Sequence, residues 1–423
     1  MLQKIIKLVR ILLIKLHLYR WILARVRSLK GKPNRKPKKI GFVVYQEAVW
    51  KCDQIVKMIN ENSSSSATII IMPISSGKTK VKKDWLQAVK FFSLNYKLVE
   101  KCERPDSLWQ ILKTFWKYDT VVFSDCWNLS NSLWFELILI FKDCRYIPYS
   151  HQVSNYANHQ AQYNQLFHNL AQRIYQTNKF ESDIFEAHSD VKNDNTLLLG
   201  YPGVTKFIAV TDNSENKNIL FPKDPWVRLP SKKKRIIWAP HHSILWENRR
   251  YSNFLQMHEY MLHLVGKYKA EVNFAFKPHP MLREELKKIW DEAKVDNFYH
   301  FWSQNDNTLL SEGEYGGLFA YSDALIHDCG SFIAEYTYLR KPHGFILSSN
   351  SIKDDFNQFG QKCMETTVLI QKTSEIDSFI EKIIQNSCEQ NVESKKFIDE
   401  IMQVSRSCEV DIIKDFGIQI FEN

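Results

Sequence analysis

From Ile40 onward the chain alternates short β-rich runs with helix-periodic stretches, and this alternation constrains the fold more than any other feature. The first set of runs is Ile40–Tyr45, Thr68–Ile74, Thr120–Ser124, Arg145–Tyr149, Arg173–Gln176 and Thr196–Leu199. A polar, proline-containing stretch from Asp212 to Lys234 follows. A second set then begins with Arg235–Ala239, Val272–Lys277, Phe298–Trp302, Asp323–Ile326 and Gly344–Leu347. Helical patterns such as Asn253–Tyr268 and Met281–Ala293 lie between the runs, and the tetraserine at 63–66 reads as a loop. Strands joined by helical crossovers rather than tight turns run parallel. Because 423 residues exceed what one compact core accommodates, the two sets predict an α/β protein of two Rossmann-like domains facing a cleft. The expected division is 1–39, 40–211, 212–393 and a helical segment, 394–423, that either closes the second domain or crosses back to the first.

Charge is distributed very unevenly. The chain carries a net +10, but residues 1–39 hold 13 Lys and Arg and no acid, which leaves 44 basic against 47 acidic residues in the remainder. The basic isoelectric point therefore belongs to the tail, and no nucleic-acid partner is expected from it. At 100° per residue Leu2, Ile5, Ile6, Val9, Leu12, Leu13 and Leu16 form one face, with Lys4, Lys7, Arg10 and Lys15 opposite. Charges interrupt the apolar run too often for a membrane-spanning helix or a secretory signal. With Tyr19 and Trp21 the pattern fits a basic amphipathic helix lying in an anionic membrane interface, or one packed on protein. Residues 31–39 form a charged, proline-broken linker. The eight cysteines (Cys52, Cys102, Cys126, Cys144, Cys329, Cys363, Cys388 and Cys408) include no CxxC pair, so reduced thiols in a cytosolic setting are expected rather than disulfides or zinc.

The stretch from Asp323 to Tyr336 passes from an apolar strand through a turn carrying Asp328, Gly330 and Ser331 into a helix. A glycine and a hydroxyl at a helix start leave backbone N–H groups and the positive helix end at the carboxyl edge of a strand, an arrangement suited to phosphate or to an ordinary N-cap. Three more polar clusters follow strand runs: Tyr149-Ser-His-Gln152, Ala239-Pro-His-His-Ser243 and Lys277-Pro-His-Pro280. Carboxyl ends of parallel strands converge on one crevice, and histidines with a lysine there supply bases or phosphate ligands. Three other signals fail. Ser76-Gly-Lys-Thr79 lacks the earlier glycine of a P-loop. The histidines of His258-Glu-Tyr-Met-Leu-His263 stand one residue too far apart for a helical zinc site. Lys232–Arg235 is a solvated charge run before a strand.

Tyr149-Ser-His-Gln152, Gly200-Tyr-Pro-Gly203, Trp238-Ala-Pro-His241, Lys277-Pro-His-Pro280 and the 323–342 segment ending Leu339-Arg-Lys-Pro342 occur in an order that resembles the CDP-glycerol glycerophosphotransferases, the teichoic-acid and capsule polymer synthases of GT-B fold. The resemblance spans roughly residues 145–347. It implies an acceptor domain followed by a nucleotide-donor domain. By the same resemblance His151 is a catalytic base and His279 meets the donor's phosphates. His241, His242, Ser243, Lys277, Asp328, Gly330, Ser331 and Glu335 then line the donor site. Departures from the family pattern are Ser150-His151-Gln152 for Trp-His-Gly, His241-His242-Ser243 for Thr-Phe-Arg, Gly203 for an arginine and Gly330 for a serine. The implied enzyme moves a polyol-phosphate or related group from a nucleotide-activated, CDP-linked donor to a lipid-linked or growing glycan acceptor, at the cytoplasmic face of the membrane, without a cofactor or bound metal. A sugar-transferring GT-B glycosyltransferase and a non-catalytic, membrane-tethered scaffold are the alternatives.

Overall fold

The computed structural model describes residues 37–73, 79–103, 107–126, 138–139, 142–155, 159–247 and 251–421, with positions 8 and 12. Lys4, Lys7, Arg10, Lys15 and Trp21, and the amphipathic helix expected around them, lie outside the described residues. Among the described residues no helix is long and apolar enough to cross a membrane.

The chain forms two compact units. The first holds a seven-stranded sheet of β1 (Lys39–Val44), β2 (Ser66–Ile71), β3 (Val99–Lys101), β4 (Thr120–Phe123), β5 (Asp143–Tyr146), β6 (Arg173–Gln176) and β7 (Thr196–Leu198). Its order is β3-β2-β1-β4-β5-β6-β7. All pairings are parallel, with Ile40 opposite both Ala67 and Thr120. Strand β1 reads Lys-Ile-Gly-Phe-Val-Val and is buried from its second residue onward, as expected of a parallel strand covered on both faces.

The second unit repeats the plan with β8 (Lys234–Ala239), β9 (Val272–Phe276), β10 (Thr308–Leu310), β11 (Ala324–His327), β12 (His343–Ile346) and β13 (Val368–Ile370). The order is β10-β9-β8-β11-β12-β13, again wholly parallel. The chain winds outward from β8 to β10, then returns to the other side of β8 to lay down β11. That reversal opens a crevice at the carboxyl ends of β8 and β11. The expected class, two parallel α/β sheets of the GT-B kind, is the one observed.

Relative to the expected divisions, residues 151–155 and the stretch from Val204 belong to the second unit, and the C-terminal segment splits at Arg406. The helix Val392–Ser405 stays with the second unit through buried Phe397, Ile398, Ile401 and Met402. The helix Cys408–Asp415 belongs to the first unit, where Ile412, Ile413 and Phe416 are fully buried. Each such side chain contributes about 1.5–3 kcal/mol by leaving water. Asp415 then fixes the helix end: it accepts from Arg145 Nη1 at 2.5 Å and from the Tyr175 hydroxyl at 2.8 Å.

One expected strand is a helix. Phe298–Trp302 lies within the helix Glu292–Gln304, and Val295, Phe298, Tyr299 and Trp302 form its buried face. Aromatic enrichment suggested a strand, but the 3.6-residue spacing prevails, aided by Asp291, whose side chain caps Lys294 N at 2.8 Å. The expected helix Met281–Ala293 ends at Leu286, and the chain restarts at Glu292. β3, β10 and β13 are three residues each, too short to leave an alternating pattern.

Candidate functional site

Asp328 organises the crevice between β8 and β11. It follows β11 directly and is almost fully buried. Its Oδ1 accepts the His241 backbone N–H and its Oδ2 the Asn253 backbone N–H, both at 2.6 Å. One carboxyl thus ties the loop after β8 to the start of the helix Phe254–Lys267, where a negative group also meets the positive helix end. Burial pushes its pKa up to about 7, and the two backbone donors oppose that rise. Both acceptor atoms bond backbone N–H groups, so Asp328, expected among the donor-binding groups, holds the loop that carries His241.

The loop held this way carries His241 and His242, and the turn after β9 brings His279 against them. Ring centroids are 4.2 Å apart for His241–His242, 4.0 Å for His242–His279 and 5.2 Å for His241–His279. One nitrogen from each ring lies within 4.8 Å of the others, close enough to raise the question of a metal ion. The hydrogen bonds answer it. Ser243 Oγ accepts from Tyr251 N at 3.0 Å and Ser252 N at 3.2 Å, so its own hydrogen points to His241 Nδ1 at 2.9 Å. Ser243 N also donates to that nitrogen, at 3.2 Å. Met281 N donates to His279 Nδ1 at 3.2 Å. A neutral imidazole that accepts at Nδ1 carries its hydrogen on Nε2, so two of the three rings offer N–H donors where a metal needs lone pairs. This donor set suits an anion. Fully buried Ser243, expected among the ligand-binding groups, instead sets the tautomer of His241.

All three rings are held neutral. Burial drives the His241 pKa down to about 2, with His242 and His279 adding to the effect. His279 falls to about 3 through burial, His242 and Lys277. Burial lowers His242 as well, while Glu285 pulls it the other way.

Lys277 leaves the end of β9 with its side chain buried. Its ammonium meets no hydrogen-bond or ion-pair partner among the described residues. Burial lowers its pKa, against the raising influence of Cys329, Glu314 and Glu312. Cys329 precedes the helix Gly330–Thr337 as its N-cap, and burial pushes its thiol up to about 11 while the Ser331 and Phe332 N–H groups at the positive helix end oppose that rise. Ser331 Oγ lies 3.6 Å from Cys329 Sγ. Glu335, one turn further on, is buried and accepts the Tyr315 hydroxyl.

His151 occurs where the sequence expects, just beyond β5, yet it packs in the second unit. Its ring is 3 % exposed, stacks on Tyr338 at 5.6 Å and 10°, and lies 4.9 Å from Phe359. Burial takes its pKa down to about 3. The segment behind it is fastened by backbone: Asn357 Nδ2 donates to Gln152 O at 2.7 Å, Asn357 N to Val153 O at 2.9 Å, and Ser154 bridges Phe356. Gly360 permits this approach, since a Cβ there would stand 2.4 Å from Val153 O. Val153 Cγ2 would stand 3.5 Å from a Cβ on Gly330, so this segment runs beside the helix start. Sequence reading missed Asn253, Asn357, Gly360 and Tyr315. Each supports a site residue from a distant part of the chain and carries no local signal.

In the first unit, the position where the family pattern has an arginine is closed. A Cβ on Gly203 would meet the Tyr201 ring at 2.4 Å, and that ring is held by its hydroxyl donating to Tyr149 O at 2.5 Å.

A model of the CDP-glycerol:poly(glycerophosphate) glycerophosphotransferase family matches residues 147–396, more than half of the chain. Among solved structures, the wall teichoic acid polymerase TagF is similar at 14 % identity and a TM-score of 0.60, covering 98 % of this chain and 96 % of that one. The UDP-GlcNAc 2-epimerase of Methanocaldococcus jannaschii is similar at 12 % identity and a TM-score of 0.57, covering 90 % and 99 %. The UDP-GlcNAc 2-epimerase of Neisseria meningitidis gives 13 % and 0.53, covering 90 % and 99 %. At these identities the structures establish the fold alone. No curated protein sequence matches the chain.

Proposed function

Because the chain belongs to the CDP-glycerol:poly(glycerophosphate) glycerophosphotransferase family, we propose that it transfers glycerol phosphate, or a related polyol phosphate, from a CDP-linked donor to a lipid-linked or growing cell-surface glycan. The observation that carries this reading is the set of groups at the ends of β8, β9 and β11. Two imidazole Nε2–H donors, a buried lysine without a partner among the described residues and the positive end of a helix meet where a parallel sheet binds ligands.

In this reading Lys277, His279, His241, His242 and the Gly330–Ser331 turn hold the donor's diphosphate. An acceptor hydroxyl attacks the phosphorus that bears the glycerol. A new P–O bond forms, the bond to the bridging oxygen breaks, and the cytidine monophosphate leaves with the electron pair. Donors fixed in advance around the developing charge stabilise this displacement. His151 takes the acceptor proton; burial keeps its ring neutral and weakens it as a base, and the negative charge of a bound donor would raise its pKa again. Asp328 and Ser243 act by fixing the loop that carries His241. The basic segment 1–39 holds the enzyme at the cytoplasmic face of an anionic membrane, where lipid-linked acceptor is found.

A thermal-shift panel of CDP-glycerol, CDP-ribitol, and UDP- and CMP-linked donors tests the assignment. A true donor at 100 times its dissociation constant stabilises the fold by about 2.7 kcal/mol. Stabilisation by UDP-sugars alone, with a glycoside rather than a phosphodiester in the product, would overturn it in favour of sugar transfer.

A further inference from the structure

Where the family pattern has Thr-Phe-Arg, this chain has His241-His242-Ser243, and the exchange replaces a permanent cation by rings that change charge. His241 and His279 each accept a backbone N–H at Nδ1, which leaves the ring hydrogen on Nε2. His242 stands between them with its Nδ1 buried and lacking a hydrogen-bond partner among the described residues. The charged groups around the three rings come from every neighbouring element. Lys277 extends from β9 beside His279, Glu285 from the helix Leu282–Leu286 acts on His242, and Asp328 at the end of β11 holds the His241 backbone. Glu312 and Glu314, in the turn after β10, act on Lys277, while burial keeps the Cys329 thiol neutral by raising its pKa to about 11. The carboxyl of Asp328 is occupied by backbone N–H groups, and none of the three rings forms an ion pair with a described residue. His242 and His279 oppose charge on His241, and His242 and Lys277 oppose it on His279.

We propose that His241, His242 and His279 form a proton-coupled cradle for a diphosphate, in which at least one ring takes up a proton as the anion docks. This rests on the reading of these strand ends as the donor site and adds what the site does there: it binds the diphosphate together with a proton. A negative charge placed about 4 Å from a ring at an effective dielectric near 20 raises its pKa by about three units. The ring open to this proton is His242, because Nδ1 of His241 and of His279 already accepts a backbone N–H, and the second charge of a diphosphate strengthens the shift. His242, already favoured by Glu285, is the first to load. Donor affinity therefore falls as pH rises, by about tenfold per pH unit for one linked proton, over the range in which the free rings are neutral and a bound ring is charged.

The test is calorimetry of the full-length protein with CDP-glycerol, whose diphosphate is esterified at both ends and lacks the monoester ionisation near pH 6. Titrations run at pH 6, 7 and 8, each in two buffers of different ionisation enthalpy. The expected result is uptake of about one proton per ligand at pH 7 and an affinity roughly tenfold weaker per pH unit. His242→Gln should remove most of the uptake and flatten the pH dependence while binding persists at pH 8. His263→Gln should change neither. If His242→Gln does not fold, the wild-type histidine Cε1–H resonances, recorded with and without ligand at pH 7, must move towards the protonated position.

Heats independent of buffer and affinity independent of pH overturn the proposal. So does stoichiometric zinc held by the three rings in competition with the nucleotide, because the lone pairs would then face inward. UDP-glucose and ADP-ribose, also esterified at both ends, separate this proposal from the donor assignment. If CDP-glycerol fails to bind while one of them binds with proton uptake, the donor assignment fails and the cradle stands. If none binds, both fall.

Discussion

Replacing Asp328 by asparagine probes the brace beneath the candidate site. The carboxyl accepts two backbone N–H groups at 2.6 Å from separate segments, His241 and Asn253, in a buried position. Asparagine keeps the shape and one acceptor but turns an NH2 group towards the second N–H. One buried donor then loses its partner, at a cost of about 1–3 kcal/mol. For a unit of roughly 200 residues this lowers the melting temperature by about 4–8 °C for a 2 kcal/mol loss. The loss should be local before it is global. Hydrogen exchange followed by mass spectrometry should show faster exchange over 240–254, while peptides from β1 and β4 in the first unit exchange as before. Donor affinity should fall because His241 is no longer held beside His279. An unchanged melting temperature together with unchanged exchange over 240–254 would refute the brace.

Other tests follow from the same geometry. His279→Ala and Ser331→Ala should each weaken nucleotide binding by calorimetry, whereas His258→Ala and His263→Ala, on the helix Phe254–Lys267, should not; equal affinities across the four would contradict the placement. His151→Ala should lower turnover by about 10²- to 10⁴-fold with donor binding nearly intact, and near-wild-type rates would remove it from the mechanism. Gly360→Ala should cost about 1–3 kcal/mol by overpacking against Val153 O, read as a fall in melting temperature; no change would show that the 151–155 segment can move aside. Deleting residues 1–30 should abolish salt-sensitive co-sedimentation with anionic vesicles while leaving turnover of a soluble acceptor analogue; equal sedimentation of both forms would exclude the tail as the anchor.

Sequence alone determined the architecture, because the pattern behind it is local. Apolar runs such as Ile40–Val44 and Ile236–Ala239, separated by helix-length stretches, admit little besides parallel sheets. The same locality placed His241, Lys277, His279 and Gly330 at strand ends, since a strand's carboxyl end is visible wherever its apolar run stops. It misplaced Phe298–Trp302 because a short aromatic run satisfies both periods; the longer spacing from Val295 and the Asp291 cap favour the helix, and packing of Phe298 against Trp238 and Phe276 completes it.

What tertiary structure decided lies between residues far apart in sequence. The side to which His151 belongs follows from Asn357 and Gly360, about 200 positions away, which draw the chain after β5 into the second unit. The tautomers of His241 and His279 follow from backbone N–H groups whose direction is fixed only once the loops are built. Asp328 and Ser243 looked like ligands, being polar residues beside a glycine or a histidine. Folding spends their oxygens on the backbone N–H groups of His241, Asn253, Tyr251 and Ser252, because a buried loop must satisfy its own donors first.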